Sequence, residues 1–440
     1  MPKHNCKTES ARLQIFLESC AREIGQASGF VQRSSKVSSS IFAQTLLLSC
    51  MNEPEASLNQ MVQWSNELGV ELTAQGLHKR MTERAVDFLA RLVQRAIATL
   101  RHPVSVPERV LQQFNGIMIV DSSQVALPDC LQSRFAGSGG NASSASLKFH
   151  LCFDYQAGQV SALEAVAGRS PDQHCKLHRQ QLKAGSLQLF DLGYFEQTAL
   201  GDIAAAEAYF ICRLHPQVGI YATAQATSAL DSAELVRHLK GERHEMVGYV
   251  GSKMHLPVRI VFQRLAPQVV EERRRKIQAS ARRKGKTHSQ TYLMLLEWAI
   301  LITNVPQECL SFEQVMALYP IRWQIELVFK LWKSHAKLAS VGQWHPQRVL
   351  CHIYARLLVL VLFHWLVAPW RFGQWGELSL TKAFQVFQRY TDRLAYAIRT
   401  GWHRMPAVLT TMMGDFLHFA RKDKRRKSPS SFQSFILAGA

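Results

Sequence analysis

Tyr319-Pro320-Ile321-Arg322-Trp323-Gln324-Ile325-Glu326-Leu327-Val328-Phe329-Lys330-Leu331-Trp332-Lys333 holds residue types at a spacing that could do chemistry. Pro320 suits the first turn of a helix, where its missing N–H is not needed. On a helix Tyr319, Arg322, Glu326, Lys330 and Lys333 recur at steps of three or four and so share one face. The other faces carry Ile321, Trp323, Ile325, Leu327, Val328, Phe329, Leu331 and Trp332, which predicts a buried helix with one charged stripe. One carboxylate among cations in such a setting is costly unless it serves something. A metal ion held beside a phosphate would satisfy all of these groups. An ordinary amphipathic helix with ion pairs between successive turns also fits the spacing.

The order Tyr-x2-Arg-x3-Glu-x6-Lys, met by Tyr319, Arg322, Glu326 and Lys333, resembles the signature of the bacterial insertion-sequence-four family of DDE transposases. The resemblance implies an α/β fold: an RNase H-like mixed sheet flanked by helices, with a β-strand insertion and an N-terminal helical domain. It also implies two catalytic aspartates upstream of the glutamate. Gly116-Ile-Met-Ile-Val120-Asp121 is a short apolar run that predicts a buried strand ending in a carboxylate. Ser186-Leu-Gln-Leu-Phe190-Asp191-Leu192-Gly193-Tyr194 repeats the pattern and resembles the family's Asp-x-Gly-Tyr motif, with Leu192 where small residues are common. Either aspartate alone reads equally as a turn former or helix cap. Asp129, after Pro128, is a rival for the first position, and Asp154, entering a hairpin turn, reads as structural. Asp121, Asp191 and Glu326 together form an Asp-Asp-Glu set suited to Mg²⁺ or Mn²⁺, hard ions that take oxygen ligands. Two such ions lie about 3.5–4 Å apart in sites of this kind.

Composition agrees. Lys and Arg number 52 against 33 Asp and Glu, a net charge of +19, so a polyanion, by default nucleic acid, is the expected partner. A hydrophobic content of 47% is that of a globular chain, and 440 residues predict two or three domains. The nine cysteines stand singly, which argues against a zinc ribbon or disulfide framework and fits a reducing cytoplasm. His174-Cys175-Lys-Leu-His178 reads as a solvated helix or loop. The N-terminus has no apolar core of signal-peptide length. The most apolar run, 357–367, is shorter than the about 18 residues a membrane span needs and predicts a buried helix.

Four regions are expected: a helical DNA-binding domain over 1–105, a catalytic domain over 106–205 and 311–400, an inserted β region over 206–310, and a basic tail over 401–440. In the first, Ser57 and Thr73 begin two helices around Gly69, the second bearing Lys79 and Arg80; this is a helix-turn-helix or a plain helical hairpin. Phe30-Val-Gln-Arg33-Ser-Ser-Lys36 resembles the family's opening motif. Strands are expected within 148–166, joined at Gln156–Gly158, and in the insertion around 248–251, 258–262 and 298–304. The charge run Arg273, Arg274, Arg275, Lys276, followed by Arg282-Arg283-Lys284, reads as a solvated, mobile face that touches phosphates. Trp298 stands where relatives have a tryptophan that stacks on a flipped base; core packing is the competing reading.

The resemblance implies an insertion-sequence transposase that binds terminal inverted repeats and target DNA as a homodimer in the bacterial cytoplasm. Asp121, Asp191 and Glu326 would hold the metals. Arg322, Lys330 and Lys333 would meet phosphates, and Tyr319 the 5′ phosphate at the cut. A nuclease without strand transfer and a non-catalytic DNA-binding relative are the alternatives.

Overall fold

Apolar runs bounded by turn residues become the nine strands of one sheet: β1 Ile117–Leu127, β2 Ala145–Asp154, β3 Gln159–Ala167, β4 Leu187–Phe190, β5 Tyr209–Arg213, β6 Ile220–Tyr221, β7 Arg243–Val250, β8 Leu256–Arg264 and β9 Trp298–Thr303. They are seen in a computed structural model that describes residues 5–33, 35–102, 109–139, 143–180, 182–285, 287–342, 344–370, 372–373 and 376–422. The strand order is β3-β2-β1-β4-β5-β9-β8-β7-β6. β1, β4 and β5 run parallel, β2 and β3 form an antiparallel hairpin, and β9, β8 and β7 continue antiparallel from β5. Parallel neighbours need a crossover, and the helix Gln197–Ala205 supplies the one from β4 to β5. The result is the RNase H-like mixed sheet with flanking helices that the sequence led us to expect. The strands expected in the insertion are β7, β8 and β9.

The described residues fall into two compact units. One comprises Met1–Val106, Ser122–Ser170 and Gln324–Arg425, and the other Pro107–Asp121 and Pro171–Trp323. In the first, Ser57 and Gln60 form a capping box that starts the helix Leu58–Glu67, and the Thr73 hydroxyl accepts from Gly76 N at the start of Ala74–Arg80. Gly69, at φ +82°, makes the break between them. The β2–β3 turn is closed by the Asp154 carboxylate, which accepts from Ala157 N at 2.9 Å, in keeping with a structural role. The long helix Pro346–Val367 is apolar on every side and packs against the helices Ser39–Asn52 and Glu83–Thr99. The apolar run at 357–367 is thus the later part of a 22-residue helix, long enough to cross a membrane; 94% of its most apolar window is buried. Its one buried cation, Arg356, donates to the carbonyls of Pro54, Lys337 and Ser340 at 2.8, 2.6 and 2.5 Å, which offsets its desolvation.

Several local expectations are corrected. The signature segment is not one helix: a 3-10 turn Tyr319–Trp323 leads into α-helix Gln324–Lys330 and then a π turn Leu331–His335. Ala336 N reaches Leu331 O, five residues back, at 3.1 Å, while the Trp332 indole donates to His364 Nε2 at 3.1 Å. Three residues per 3-10 turn eclipse Tyr319 and Arg322, and a π turn winds wider than an α turn. The segment is not buried all round either, since Trp323 is 56% and Leu327 47% exposed. The charge run lies on a helix, Pro267–Lys284, with Pro267 in its first turn and Gly285 left-handed at its end. Cys175 and His178 are buried rather than solvated, the His178 ring packing beside Phe190 and Tyr194. The chain stays helical past residue 400, through Met405–Phe419; the rest of the expected tail, from 423, lies outside the described residues.

Candidate active site

The aspartates are set by register. β1 and β4 pair from Ile117↔Leu187 to Val120↔Phe190, and Asp121 and Asp191 are the next residue on each strand. Ile119, Val120, Leu189 and Phe190 are fully buried, so the step at which the carboxylates emerge is tied to the core. β1 does not end at Asp121, as its sequence suggested, but runs on to Leu127; Asp121 marks where pairing with β4 stops. Asp191 leaves β4 into a 3-10 turn, Leu192–Tyr194, in which Tyr194 N donates to Asp191 O at 3.0 Å.

Arg322 joins the two. Its Nη1 lies 3.0 Å from Asp121 Oδ2 and its Nη2 3.8 Å from Asp191 Oδ2. The Tyr319 hydroxyl, one 3-10 turn earlier, lies 3.4 Å from both Asp191 Oδ1 and Phe190 O. Burial, and then the Asp191 charge, push the Tyr319 phenol well above its ordinary value, so it stays a neutral donor. The nearby Cys212 thiol is raised by the same two causes and stays protonated. Arg322 is buried and also faces the exposed Trp323 ring, 5.5 Å from its centroid.

Among the described residues, no group of three or more His, Cys, Asp or Glu side chains is gathered closely enough to hold a metal ion. The pair Asp121 and Asp191 nonetheless fits a hard divalent cation in donor type, two carboxylates turned toward one positive centre that Arg322 now supplies. Glu326 belongs to the other compact unit, half-buried in the first turn of Gln324–Lys330. In that unit Lys330 is exposed and Lys333 is half-buried, its ammonium pushed below its ordinary value by burial. Lys79 is exposed there too, and Arg80 donates to Ser35 Oγ at 3.4 Å.

Trp298 heads β9 and is only 5% exposed. The expectation of a ring outside the core is corrected by this burial. The ring meets Phe262 edge-on, with centroids 6.5 Å apart, and Arg264 lies 5.9 Å from its centroid. It still lines a cavity of about 350 Å³ together with Leu192, Arg213, Arg273, Lys276 and Tyr292. None of the residues lining that cavity is acidic. Burial and the neighbouring Arg213 both push the Arg273 guanidinium below its ordinary value.

The four cations of the charge run differ. Arg273 donates to Trp298 O at 3.3 Å and Arg274 pairs with Glu297 at 2.8 Å, so both are tied to the start of β9. Lys276 pairs with Glu272 one turn earlier at 2.6 Å, and Arg275 is exposed. Sequence reasoning missed Arg213, although it closes the apolar strand β5 much as the aspartates follow theirs. It also missed Arg259, inside β8, which nothing in the local pattern marks.

Residues 112–362 match the family described as Transposase DDE domain. The chain is 28% identical over 454 residues to the transposase for insertion sequence element IS231B of Bacillus thuringiensis subsp. berliner, covering 96% of this chain and 94% of that protein. It is 25% identical over 433 residues to the transposase for insertion sequence element IS1151 of Clostridium perfringens, covering 93% and 92%. A solved piggyBac transposase synaptic complex with hairpin DNA aligns with 95% of this chain and 86% of its own, at a TM-score of 0.47 and 7% identity. A family match over more than half of its length means that this chain belongs to the transposase DDE domain family.

Proposed function

We propose that this chain is the transposase of an insertion sequence, of the insertion-sequence-four type, which binds the element's terminal inverted repeats as a homodimer and cuts and joins DNA. The observation that carries the reading is the placement of Asp121 and Asp191 at one step of neighbouring parallel strands, both reached by Arg322. Asp121 and Asp191, with Glu326, would hold Mg²⁺ or Mn²⁺, two ions in all. Such ions, when bound, lower the pKa of water and polarise a phosphoryl oxygen. Arg322, already beside both carboxylates, would turn its planar fork from them to a phosphate. Tyr319, held neutral, donates a hydrogen bond and adds no negative charge beside the 5′ phosphate.

In this reading water cuts one strand and leaves a 3′-OH. That hydroxyl attacks the opposite strand to form a hairpin, a second water opens it, and the freed 3′-OH attacks target DNA. Lys330 and Lys333 neutralise backbone phosphates. Trp298, with Arg213, Arg273 and Lys276 around an acid-free cavity, takes a displaced base and its phosphate. Residues 1–105, with Lys79 and Arg80, form the end-binding domain; 106–205 with 311–400 form the catalytic domain; 206–310 form the insertion.

The test is incubation of the purified protein with end DNA, a target plasmid and Mg²⁺. Strand cleavage and joined product are expected with the native chain, and neither with Asp191→Asn. Cleavage without joining would instead identify a nuclease on this fold. Binding without cleavage would identify a non-catalytic relative.

A further inference from the structure

Arg259 is a buried guanidinium in the middle of β8, 8% exposed. Its Nη1 donates to Val305 O at 2.8 Å and to Leu310 O at 2.9 Å, and its Nε donates to Glu245 Oε1 at 2.6 Å. Val247 is Arg259's register partner, so Glu245 on β7 is its diagonal neighbour on the same face of the sheet. The two carbonyls bracket the segment 305–310, which leads from β9 to the helix Phe312–Leu318. That helix is capped by Ser311 and Gln314 and ends at Tyr319. Seven residues, about 10 Å of helix, therefore separate the Arg259 clamp from the turn that carries Tyr319 and Arg322.

A second link acts beside it. Arg243, two residues before Glu245 and so on the same face of β7, pairs with Glu313 at 2.9 Å and lies over the Phe312 ring. The other end of the same segment is fixed too. Thr303 Oγ donates to Phe210 O at 2.6 Å, and the Asn304 amide bonds both Phe210 N and Ala208 O. The strands β7 and β8 thus grip the start of the helix whose far end sets Arg322 against Asp121 and Asp191.

We propose that Arg259 is a positioning residue for the catalytic turn: it transmits the placement of the inserted strands β7 and β8 to Tyr319 and Arg322. The proposal rests on the reading of Asp121, Asp191 and Arg322 as catalytic groups. Movement of β7–β8, as when DNA seats on the insertion, shifts the Arg322 guanidinium relative to the two carboxylates.

Two measurements test it. The first is hydrogen exchange on the free protein. Arg259→Met is expected to raise exchange across 311–323 and leave 187–190 unchanged; unaltered exchange at 311–323 overturns the proposal. The second is a double-mutant cycle on single-turnover end cleavage at saturating DNA. Arg259→Met is expected to lose on the order of 10²-fold in rate, the scale of an ångström misplacement, with end-DNA affinity unchanged. In an Arg322→Ala background it is expected to lose nothing further, because the effect acts through Arg322; multiplicative losses overturn the proposal. Arg259→Lys, whose single nitrogen replaces donors that sit on two separate nitrogens of the guanidinium, is expected to recover only part of the rate. If Arg259→Met does not fold, Glu245→Gln keeps the carbonyl bonds and is read in the same cycle, with a smaller loss expected. The exchange result needs no DNA and no cleavage, so it stands apart from the transposase reading, which fails instead if the native chain does not cut end DNA.

Discussion

Asp121 and Asp191 stand side by side, each the first residue beyond the paired run Val120↔Phe190, and a single guanidinium lies within 4 Å of both. Parallel pairing holds the backbones in step, so the relation does not depend on either side chain. Arg322 is what keeps two like charges compatible in a half-buried place.

Arg322→Ala leaves both carboxylates facing one another without their shared donor. Hydrogen bonds to charged groups contribute roughly 1.5–3 kcal/mol, so a stability loss of that order is expected in denaturant melts. Arg322→Lys should recover less than half of it, because one ammonium cannot span both partners as a planar fork does. A lysine variant as stable as the native chain would show that the bridge is not bidentate in effect.

Trp298→Ala removes a buried ring and should cost about 3–5 kcal/mol, measured by chemical unfolding. The role of this residue in DNA handling is therefore readable only with Trp298→Phe, which keeps most of the volume. A slowed hairpin step in Trp298→Phe, at near-native stability, is the expected result. A loss below about 1 kcal/mol for the alanine variant, the range of a surface change, would place the ring outside the core.

Arg275 and Arg274 sit one residue apart on one helix and should behave differently. Arg275→Ala is expected to lower the slope of log affinity against log salt by about 1 and leave stability unchanged. Arg274→Ala also gives up its pair with Glu297, half-exposed on both sides, and should lose about 0.2–1 kcal/mol. Equal salt slopes for Arg275→Ala and the native protein would remove Arg275 from the DNA contacts.

Tyr319 titrates late, its phenol raised above the ordinary 10.0 by burial and by Asp191. Folding thus favours the protonated phenol. Its contribution to stability is fully present below pH 10.0 and is lost as pH rises through the higher folded value. Ultraviolet difference titration should find one late phenol in the native chain that Tyr319→Phe lacks, and alkaline unfolding should be less steep in the variant. A phenol missing from the ordinary population instead would contradict the burial.

The types and order of the chemical groups were legible from the chain alone. Apolar runs before Asp121 and Asp191 mark strands because alternation and β-branching act locally, and Ser57 and Thr73 mark helix starts because their hydroxyls satisfy orphan N–H groups within three residues. The Tyr319-to-Lys333 spacing likewise carries its resemblance in the sequence itself. Contacts made across the fold were decided by tertiary structure. That β1 runs on past Asp121 depends on pairing partners far along the chain. The 3-10, α and π succession from Tyr319 to His335 departs from one regular helix within a segment anchored at Trp332 by His364, a residue 32 positions away. Trp298 is covered by side chains such as Phe262, more than thirty positions away, and no one strand encodes which residues will meet it. Arg259 looks like any arginine in a β-strand until Val305, Leu310 and Glu245 converge on it. Local propensity is read over a few residues, whereas burial, register and the partners of a charge are sums over distant ones, and only the folded chain evaluates that sum.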